Sequence, residues 1–448
     1  MTEPVPIEDQ SVLEKLIGIR QQLSVLKHDR SRYIDKNDVF KIYHQLVEQM
    51  NVLQSIRKEQ PERHNRVDFL LDDCLHLLSL FYLAIGRNND LPAFFAQLSI
   101  VKRLMDCSME GAAYTENDTK LVKERLDIIR EAIEKESFKD DKDVVVVEYL
   151  KRKFEDCEAK YEQVVNKISI LAPELVPVQT QLVSIKRQIA SYAVRPASDP
   201  NTLERWVKQL KEIEAKHNED GQFCGADGEP LAGQELCNGL LEECFSFIED
   251  IKSKQGLSEE MKSSPKLQAI YERLDELLTK LKHLTLTHRW TLRETDLYLY
   301  KASLAEIDAT RVDGQFVDEN GIAPPGQRIL LYLLRRCYAY IYQLMAASEP
   351  VSEALLPVHN QLQTVKRCLR EVQRSGGIYS ERDLYPYQMK LASLENLRVG
   401  GKFLASDDSV PEGQELVNSL LAQCHQLIEE IRDEMHQHDL EEHASVQH

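Results

Sequence analysis

Gln181–Arg187 reads QLVSIKR, and related strings stand at four other places in the 448-residue chain. They are QLSVLKH from Gln22 to His28, QLSIVKR from Gln97 to Arg103, LLTKLKH from Leu277 to His283, and QLQTVKR from Gln361 to Arg367. A second string keeps step with the first. LLDDC ends at Cys74, KFEDC at Cys157, LLEEC at Cys244, LLRRC at Cys337 and LLAQC at Cys424, each cysteine 52 to 63 residues after the start of its partner string. Two markers in the same order five times point to internal repetition, with a period of about 80 residues. Between them runs a stripe at i, i+3, i+7, i+10, which is one face of a helix: Leu203/Trp206/Leu210/Ile213, Leu297/Tyr300/Leu304/Ile307 and Leu384/Tyr387/Leu391/Leu394. Val39/Ile42/Leu46 and Val122/Leu126/Ile129 are shorter versions.

Each copy therefore reads as three helices: A with the basic pair, B with the stripe, and C with the cysteine. The string VVVV at Val144–Val147 is β-branched but is expected to open a helix C. One three-helix copy buries its stripe only in part, so neighbours must stack. The expected fold is all-α, an array of five diverged three-helix units over residues 10–86, 87–166, 167–256, 257–348 and 349–436, with a disordered polar tail over 437–448.

The last three copies carry a further signature before helix C. It reads DGQFCGADGEPLAGQ from Asp220 to Gln234, DGQFVDENGIAPPGQ from Asp313 to Gln327, and GGKFLASDDSVPEGQ from Gly400 to Gln414. Asp227-Gly228 and Asn320-Gly321 are tight-turn pairs, so each loop is expected to be a short hairpin-like clip. Phe223, Phe316 and Phe403 would anchor the clips to the core. Calcium does not fit the Asp313 loop, because Gln315 and Val317 stand where oxygen ligands are needed. With Asp313, Gly314, Phe316, Pro324, Gly326, Gln327, Leu333, Leu334 and Cys337 in place, the chain resembles a conserved fungal protein family of unknown function. The resemblance covers most of the chain. It implies a cytoplasmic or nuclear helical protein without an assigned reaction, and brings no catalytic residues.

Composition limits the partners. The net charge of −18 repels phosphate backbones and anionic lipid, so neither general nucleic-acid binding nor a membrane role is expected. No apolar run reaches the length of a membrane span; the most apolar stretch, Leu75–Ile85, is interrupted by His76 and Ser79. Nine unpaired-looking cysteines without a CxxC suit reduced, buried thiols. The phosphate-loop, dinucleotide, zinc-protease and serine-hydrolase motifs are missing, so no enzyme, cofactor or metal is expected. Cys224, Cys237, Cys244 and His217 lie within one copy, but their spacing matches no zinc pattern.

Two surfaces remain as candidates for binding. The basic pairs Lys102/Arg103, Lys186/Arg187 and Lys366/Arg367, with Lys27/His28 and Lys282/His283, could form a cationic ladder for a small polyanion or phosphopeptide. The bland alternatives are a solvated helix edge, or pairing with the acids before the cysteine (Asp72/Asp73, Glu155/Asp156, Glu242/Glu243). The fourth copy breaks that pairing, because Arg335/Arg336 stand at the acid positions. The clip tips at Asp227, Asn320 and Asp408 could form one acidic row for a basic or extended partner. The leading expectation is a non-catalytic adaptor or scaffold for protein partners. Binding of a small polyanion comes second, and an enzyme whose site is assembled from scattered residues third.

Overall fold

A computed structural model describes residues 5–58, 65–111, 114–137, 144–194, 201–218, 221–225, 228–253, 264–324, 326–375, 380–405 and 407–445. Among them the fold is all-α. Fifteen helices follow in order: α1 Ile7–His28, α2 Lys36–Ile56, α3 Arg66–Ala84, α4 Phe94–Glu110, α5 Glu116–Ser137, α6 Val144–Ser169, α7 Val176–Val194, α8 Thr202–Glu214, α9 Gln234–Ser253, α10 Pro265–Thr291, α11 Leu297–Asp308, α12 Gln327–Ala346, α13 Leu356–Ser375, α14 Glu381–Glu395 and α15 Gln414–Ser445. Two short strands, β1 Arg398–Val399 and β2 Lys402–Phe403, pair antiparallel. Val144–Val147 does open a helix, as expected, and α15 runs on to Ser445, past position 437 where the sequence suggested a disordered tail.

The chain forms two compact units. Unit 1 gathers residues 1–96, 287–296 and 347–448; unit 2 gathers 97–286 and 297–346. The first and last segments of the chain thus share one unit, an association that a simple linear stack of neighbours does not contain.

Unit 1 is built around α3. Asn65 caps its N-terminus in a capping box with Asp68, which satisfies backbone donors at the first turn. From Cys74 to Ala84 every residue is buried, including His76 and Ser79, so this helix is apolar on all sides because it is covered on all sides. Each fully buried leucine there contributes about 2 kcal/mol of transfer free energy. Asp9 of α1, wholly buried, accepts from Arg57 at 2.9 Å and from Asn65 at 2.7 Å, and Arg57 also pairs with Asp68 at 2.6 Å. This polar knot ties α1, the end of α2 and the start of α3. In the C-terminal part Leu362, Leu369, Leu384, Leu391, Leu420 and Cys424 form one core that Phe403 closes.

The five marker cysteines, Cys74, Cys157, Cys244, Cys337 and Cys424, sit on α3, α6, α9, α12 and α15 and are all 0% exposed. Burial pushes the first four thiols up to about 12 and Cys424 up to about 11, so they are protonated and unreactive. Four of them donate weakly to a leucine carbonyl: Cys74 to Leu16 at 3.7 Å, Cys244 to Leu182 at 3.9 Å, Cys337 to Leu274 at 3.8 Å and Cys424 to Leu362 at 3.6 Å. Leu182 and Leu362 are the second residues of their basic-pair strings. By the same contact, α1 and α10 are set by Leu16 and Leu274, not by Leu23 and Leu278. In QLSVLKH and LLTKLKH the second residue, Leu23 or Leu278, stands seven or four residues after the leucine that meets the thiol, two turns or one turn of helix. Arg20, not Lys27, is the cation that meets the acid before the cysteine in the first copy, pairing with Asp73 at 2.5 Å.

The helix-B stripe is core mainly through its aliphatic members. Leu210, Leu304 and Leu391 are 0% exposed and Trp206 is buried, whereas Tyr300 and Tyr387 are half-buried at the rim. Their hydroxyls favour a position where one end of the ring reaches water.

The clips have the expected buried Phe and turn, with a second turn besides. Phe223, Phe316 and Phe403 are all buried. The expected turn after the Phe is present, closed by Gly225 N–H to the Glu229 carbonyl (3.0 Å), Asp318 to Ile322 (2.9 Å) and Ala405 to Ser409 (2.9 Å), and a further turn lies before the Phe. Asp313-Gly314 and Gly400-Gly401 take positive φ at both residues, which is the geometry of a two-residue hairpin turn. The Asn320-Gly321 turn is also wrapped by Asp318, whose Oδ1 accepts from the N–H groups of Asn320 and Ile322, both at 2.8 Å. The final Gln of each signature closes the loop: the N–H of Phe223, Phe316 and Phe403 donates to Oε1 of Gln234 (2.9 Å), Gln327 (3.2 Å) and Gln414 (3.0 Å). Gln414 also donates from Nε2 to the Phe403 carbonyl at 2.7 Å. Gln414→Ala leaves both backbone groups of Phe403 unpaired, so a loss of about 1–3 kcal/mol is expected in urea denaturation. A change under about 0.5 kcal/mol would place the clamp outside the folding energetics.

Candidate functional site

The candidate residues from the sequence separate into three groups. In unit 1, Lys366 donates to Gln423 Oε1, Arg367 is exposed, and Asp408 is exposed at a loop tip. In unit 2, Lys102, Arg103, Lys186 and Arg187 lie beside two hollows, and Asn320 is exposed on its clip. Asp227 lies outside the described residues. Because Asn320 belongs to unit 2 and Asp408 to unit 1, the clip tips do not form one row within a unit.

Four cations of the expected ladder are paired internally with acids. Lys102 pairs with Asp156 at 3.0 Å, and Lys186 with Glu243, each the acid just before the marker cysteine. Arg103 pairs with Asp308 at 2.5 Å and with Glu110 at 3.3 Å, and Arg187 with Asp118 at 2.5 Å. The hollow beside Lys102 and Arg103 is open, and its Arg103 and Arg311 share Glu110 and Asp308. Both guanidiniums are thereby paired.

The second hollow differs. It is a cavity of about 360 Å³ lined from four helices and a clip: Cys107, Glu110 and Gly111 of α4 and its end, Lys186, Arg187 and Ala190 of α7, Glu243 and Phe247 of α9, Asp313–Gln315 of the hairpin turn, and Gln327, Arg328, Leu331, Tyr332 and Arg335 of α12. The α12 members fall at i, i+3, i+4 and i+7 from Arg328, so one face of that helix forms a wall. Lys186 also donates to the Gly111 carbonyl at 2.8 Å, and the Arg328 guanidinium lies 5.9 Å from the centre of the Phe247 ring.

Among the four cations of this lining, Arg335 makes the longest ion pair, 4.0 Å to Asp118. It stands where three other copies carry an acid, and it enters the cavity wall beside Arg187. Its own partners are the Ser108 hydroxyl at 3.2 Å and, at 4.0 Å, the Asp118 carboxylate already engaged by Arg187. Burial first, and then the neighbouring Arg187 charge, pull the Arg335 guanidinium down to about 10 in spite of Asp118. Burial works to raise the Asp118 carboxyl, but Arg187, the Thr115 N–H and Arg335 together hold it below the usual carboxylate range. Two guanidiniums thus approach the same carboxylate in a partly buried place. Both side chains are forked donors of the kind that can grip an anion. The strings identified Lys186 and Arg187 but not Arg328, Tyr332, Gln315 or Gln327. The one legible signal was the Arg335/Arg336 exception itself.

No cluster of three or more His, Cys, Asp or Glu among the described residues is arranged to hold a metal ion. Cys237 and Cys244 are buried on α9, while Cys224 meets Asn218 at 3.3 Å. No single described helix is long and apolar enough to cross a membrane.

The model of a family described as protein of unknown function (DUF2408) matches residues 168–294 and 349–447. A CUB1 family protein of Schizosaccharomyces pombe is 70% identical over 440 residues, covering 98% of this chain and 96% of that protein. The Cu(2+) suppressing and bleomycin sensitive protein 1 of Saccharomyces cerevisiae is 37% identical over 504 residues, covering 96% and 91%. No solved structure matches. With similarity of this degree over nearly its whole length, the chain belongs to the conserved fungal CUB1 family.

Proposed function

We propose that this protein is a non-catalytic binding protein of five diverged three-helix copies, and that unit 2 takes up a small anionic molecule or a phosphorylated group in the Arg335 cavity. The repeat reading is supported by the recurring thiol-to-carbonyl contact and by the three Phe–Gln clamps. The binding reading rests on one observation: Arg187 and Arg335, both reaching the Asp118 carboxylate, stand together in the wall of a cavity. Of the cationic ladder considered from sequence, this reading keeps one place, where Lys186 and Arg187 line a cavity together with Arg335.

Thermal unfolding of the full chain in increasing inorganic phosphate or pyrophosphate tests this. A ligand at a hundredfold its Kd stabilises by about 2.7 kcal/mol, so a clear rise in Tm is expected, above that given by chloride at equal ionic strength. Arg335→Gln should abolish the rise without unfolding the protein. Equal behaviour of the variant and the natural chain would remove the cavity from the functional account.

Protein partners form a second reading, favoured by the clamps, which hold the clips in fixed shape with Asn320 and Asp408 exposed at their tips. Replacing both tips by glycine-serine turns while keeping Phe316 and Phe403 should then reduce partner capture without loss of folding. Unchanged capture would leave the clips as helix connectors.

A further inference from the structure

We infer that the outer face of α14, with the hairpin that follows it, is a docking surface for a short acidic segment of a protein partner, one that carries apolar side chains among its carboxylates. The surface lies within unit 1 and needs no anion in the unit 2 cavity.

The buried stripe of α14 fixes which way the helix faces. Leu384, Leu391 and Leu394 enter the core, so Arg382, Tyr385, Pro386 and Met389 fall on the opposite side at about 100° per residue, with Lys390 at its edge. All are exposed, Tyr385 and Met389 by more than half. Leu397 extends this side just past the helix end, where its N–H donates to the Leu394 carbonyl at 3.1 Å. In the hairpin, Val399 is paired with Lys402 and Arg398 with Phe403. Paired residues share a face of the ladder and successive ones alternate, so Val399 and Lys402 point away from the core that Phe403 closes. Leu397 and Val399 are also more than half exposed.

The charge of this surface is one-sided. Arg382, Lys390 and Lys402 make no ion pair among the described residues. The carboxylates of α14 are taken up elsewhere. Glu381 meets Arg432 at 3.5 Å and Glu395 meets His425 at 3.2 Å, so both face α15, while Asp383 caps its own helix by accepting from the Ser380 N–H at 3.1 Å. In a chain of net charge −18, α14 and its hairpin thus present cations and apolar groups with every one of their own carboxylates engaged.

Corresponding segments show that packing alone does not require this. Aligned by its own stripe, α8 carries Glu204, Arg205, Lys208 and Glu212 where α14 carries Tyr385, Pro386, Met389 and Ser393. That is an ordinary solvated face with both signs of charge. α11 has Tyr298, Leu299 and Ala302 there, but Thr295 and Ser303 in place of Arg382 and Lys390. The hairpin turn changes in the same direction. DGQF, from Asp220 and again from Asp313, becomes GGKF from Gly400 to Phe403, which removes a carboxylate and adds an ammonium.

This combination selects the partner. Tyr, Met and Arg are the side chains enriched at protein interfaces, and Met adapts to the shape of what it meets. Apolar groups between the cations call for apolar side chains on the partner, which a phosphate backbone does not provide. A duplex or an anionic bilayer is also an extended polyanion, and beyond this face it would meet the acidic remainder of the chain. A short segment avoids that repulsion, because exposed charges more than about 8 Å away are largely screened. From Arg382 to Leu397 the face is about 22 Å long at the usual rise, which suits about four turns of an amphipathic helix laid along it.

Phage selection of random 15-residue peptides on the full chain tests this, with a variant combining Arg382→Glu, Met389→Ser and Lys390→Glu as the counter-target. All three sites are exposed, and circular dichroism checks the fold of the variant. Peptides that prefer the natural chain are expected to be rich in Asp and Glu, with apolar residues three and four apart. The tightest of them, labelled with fluorescein, should lose at least about tenfold in affinity on the triple variant, and should bind more weakly as salt rises. Gly400→Asp with Lys402→Gln restores the DGQF string. Asp313 already takes a positive φ at that place, so this second variant keeps its fold and serves as the counter-target should the triple variant unfold. It should weaken the same peptide by about twofold to fivefold. Flotation with phosphatidylserine vesicles and sedimentation of the chain alone read the other occupants. No enriched peptides, enriched peptides that are basic or uncharged, or equal affinity for natural and variant chains would overturn the inference. So would vesicle binding or self-association that the triple variant abolishes, because either would give the face a different occupant.

Discussion

Gly86→Ala should destabilise unit 1 by on the order of 3 kcal/mol, the sum of a left-handed backbone cost for an L side chain and an overpacking cost. Gly86 follows the fully buried α3 with φ of +81°, and an added Cβ would stand 2.6 Å from the Ser352 nitrogen and 2.8 Å from the Val351 carbonyl carbon. Neither obstacle is a flexible side chain. Both belong to the backbone that leads into α13, which is pinned there from two sides. Glu353 donates its N–H to the Ala84 carbonyl at 2.9 Å, and Ser352 donates to the Glu412 carbonyl at 3.1 Å. Gly413, with φ of +96°, presses on Val351 from the other side, where a Cβ would come within 2.8 Å of its Cα. The early and late parts of the chain therefore meet backbone to backbone in unit 1. Gly18→Ala is the control: it lies in α1 with open space where the methyl would go, and helix propensity makes it stabilising by up to about 1 kcal/mol. Urea titrations of both variants check the pair. A Gly86→Ala midpoint equal to that of the natural chain would mean that residues 350–353 do not seat against α3 in this way.

The second large effect is a dependence of stability on pH that comes from one carboxyl. Glu294 lies in the short segment 294–296 that packs on α3 within unit 1. Its Oε1 accepts from the Ser348 hydroxyl at 3.1 Å, and its Oε2 is buried without a hydrogen-bond partner among the described residues. Burial, aided by the nearby Glu353 and Asp296 charges, pushes this carboxyl up to about 7. Its neighbour Arg293 is buried and fully engaged, donating to Glu353 at 2.7 Å and to the carbonyls of Asp29 and Arg32 at 2.8 and 3.2 Å. That cation is therefore committed elsewhere.

The sign follows from proton counting. Between the usual glutamate value and about 7, the folded protein holds the Glu294 proton and the unfolded chain does not. The contribution is fully present below the unfolded value. It is lost as pH rises through the folded one, by roughly 3 kcal/mol in all at 1.36 kcal/mol per pKa unit, and is constant above. Glu294→Gln removes this ionisation. The variant should match the natural chain near pH 4.5 and exceed its stability at pH 8, again by a few kcal/mol. Denaturation curves at the two pH values measure it. Parallel pH profiles for both proteins would mean that Glu294 is ionised in the fold at neutral pH.

Helices, cysteine burial and clip anchors were legible in the sequence because each is a local matter. A 3.6-residue period decides which face of a segment is apolar, and Leu384, Leu391 and Leu394 needed no distant partner to be recognised as core. Phe223, Phe316 and Phe403 were identified by their fixed place after a glycine, and all three are buried. Register was less secure, and for the same physical reason. A helix with leucine at every turn looks alike when shifted by one turn or two, so Leu23 and Leu278 appeared equivalent to Leu182 while Leu16 and Leu274 hold that place.

What only the tertiary structure decided is which distant segments meet. Periodicity says that a face is buried but not what buries it, and nothing local to Gly86 identifies Val351 as its neighbour. The cavity in unit 2 draws on α4, α7, α9 and α12, and its character depends on two guanidiniums from α7 and α12 reaching one carboxylate of α5. From sequence, Arg335 was an exception to a pairing rule. Packed beside Arg187 and Asp118, it becomes the residue on which the proposed function turns, because a charge acquires its meaning from the charges that folding places next to it.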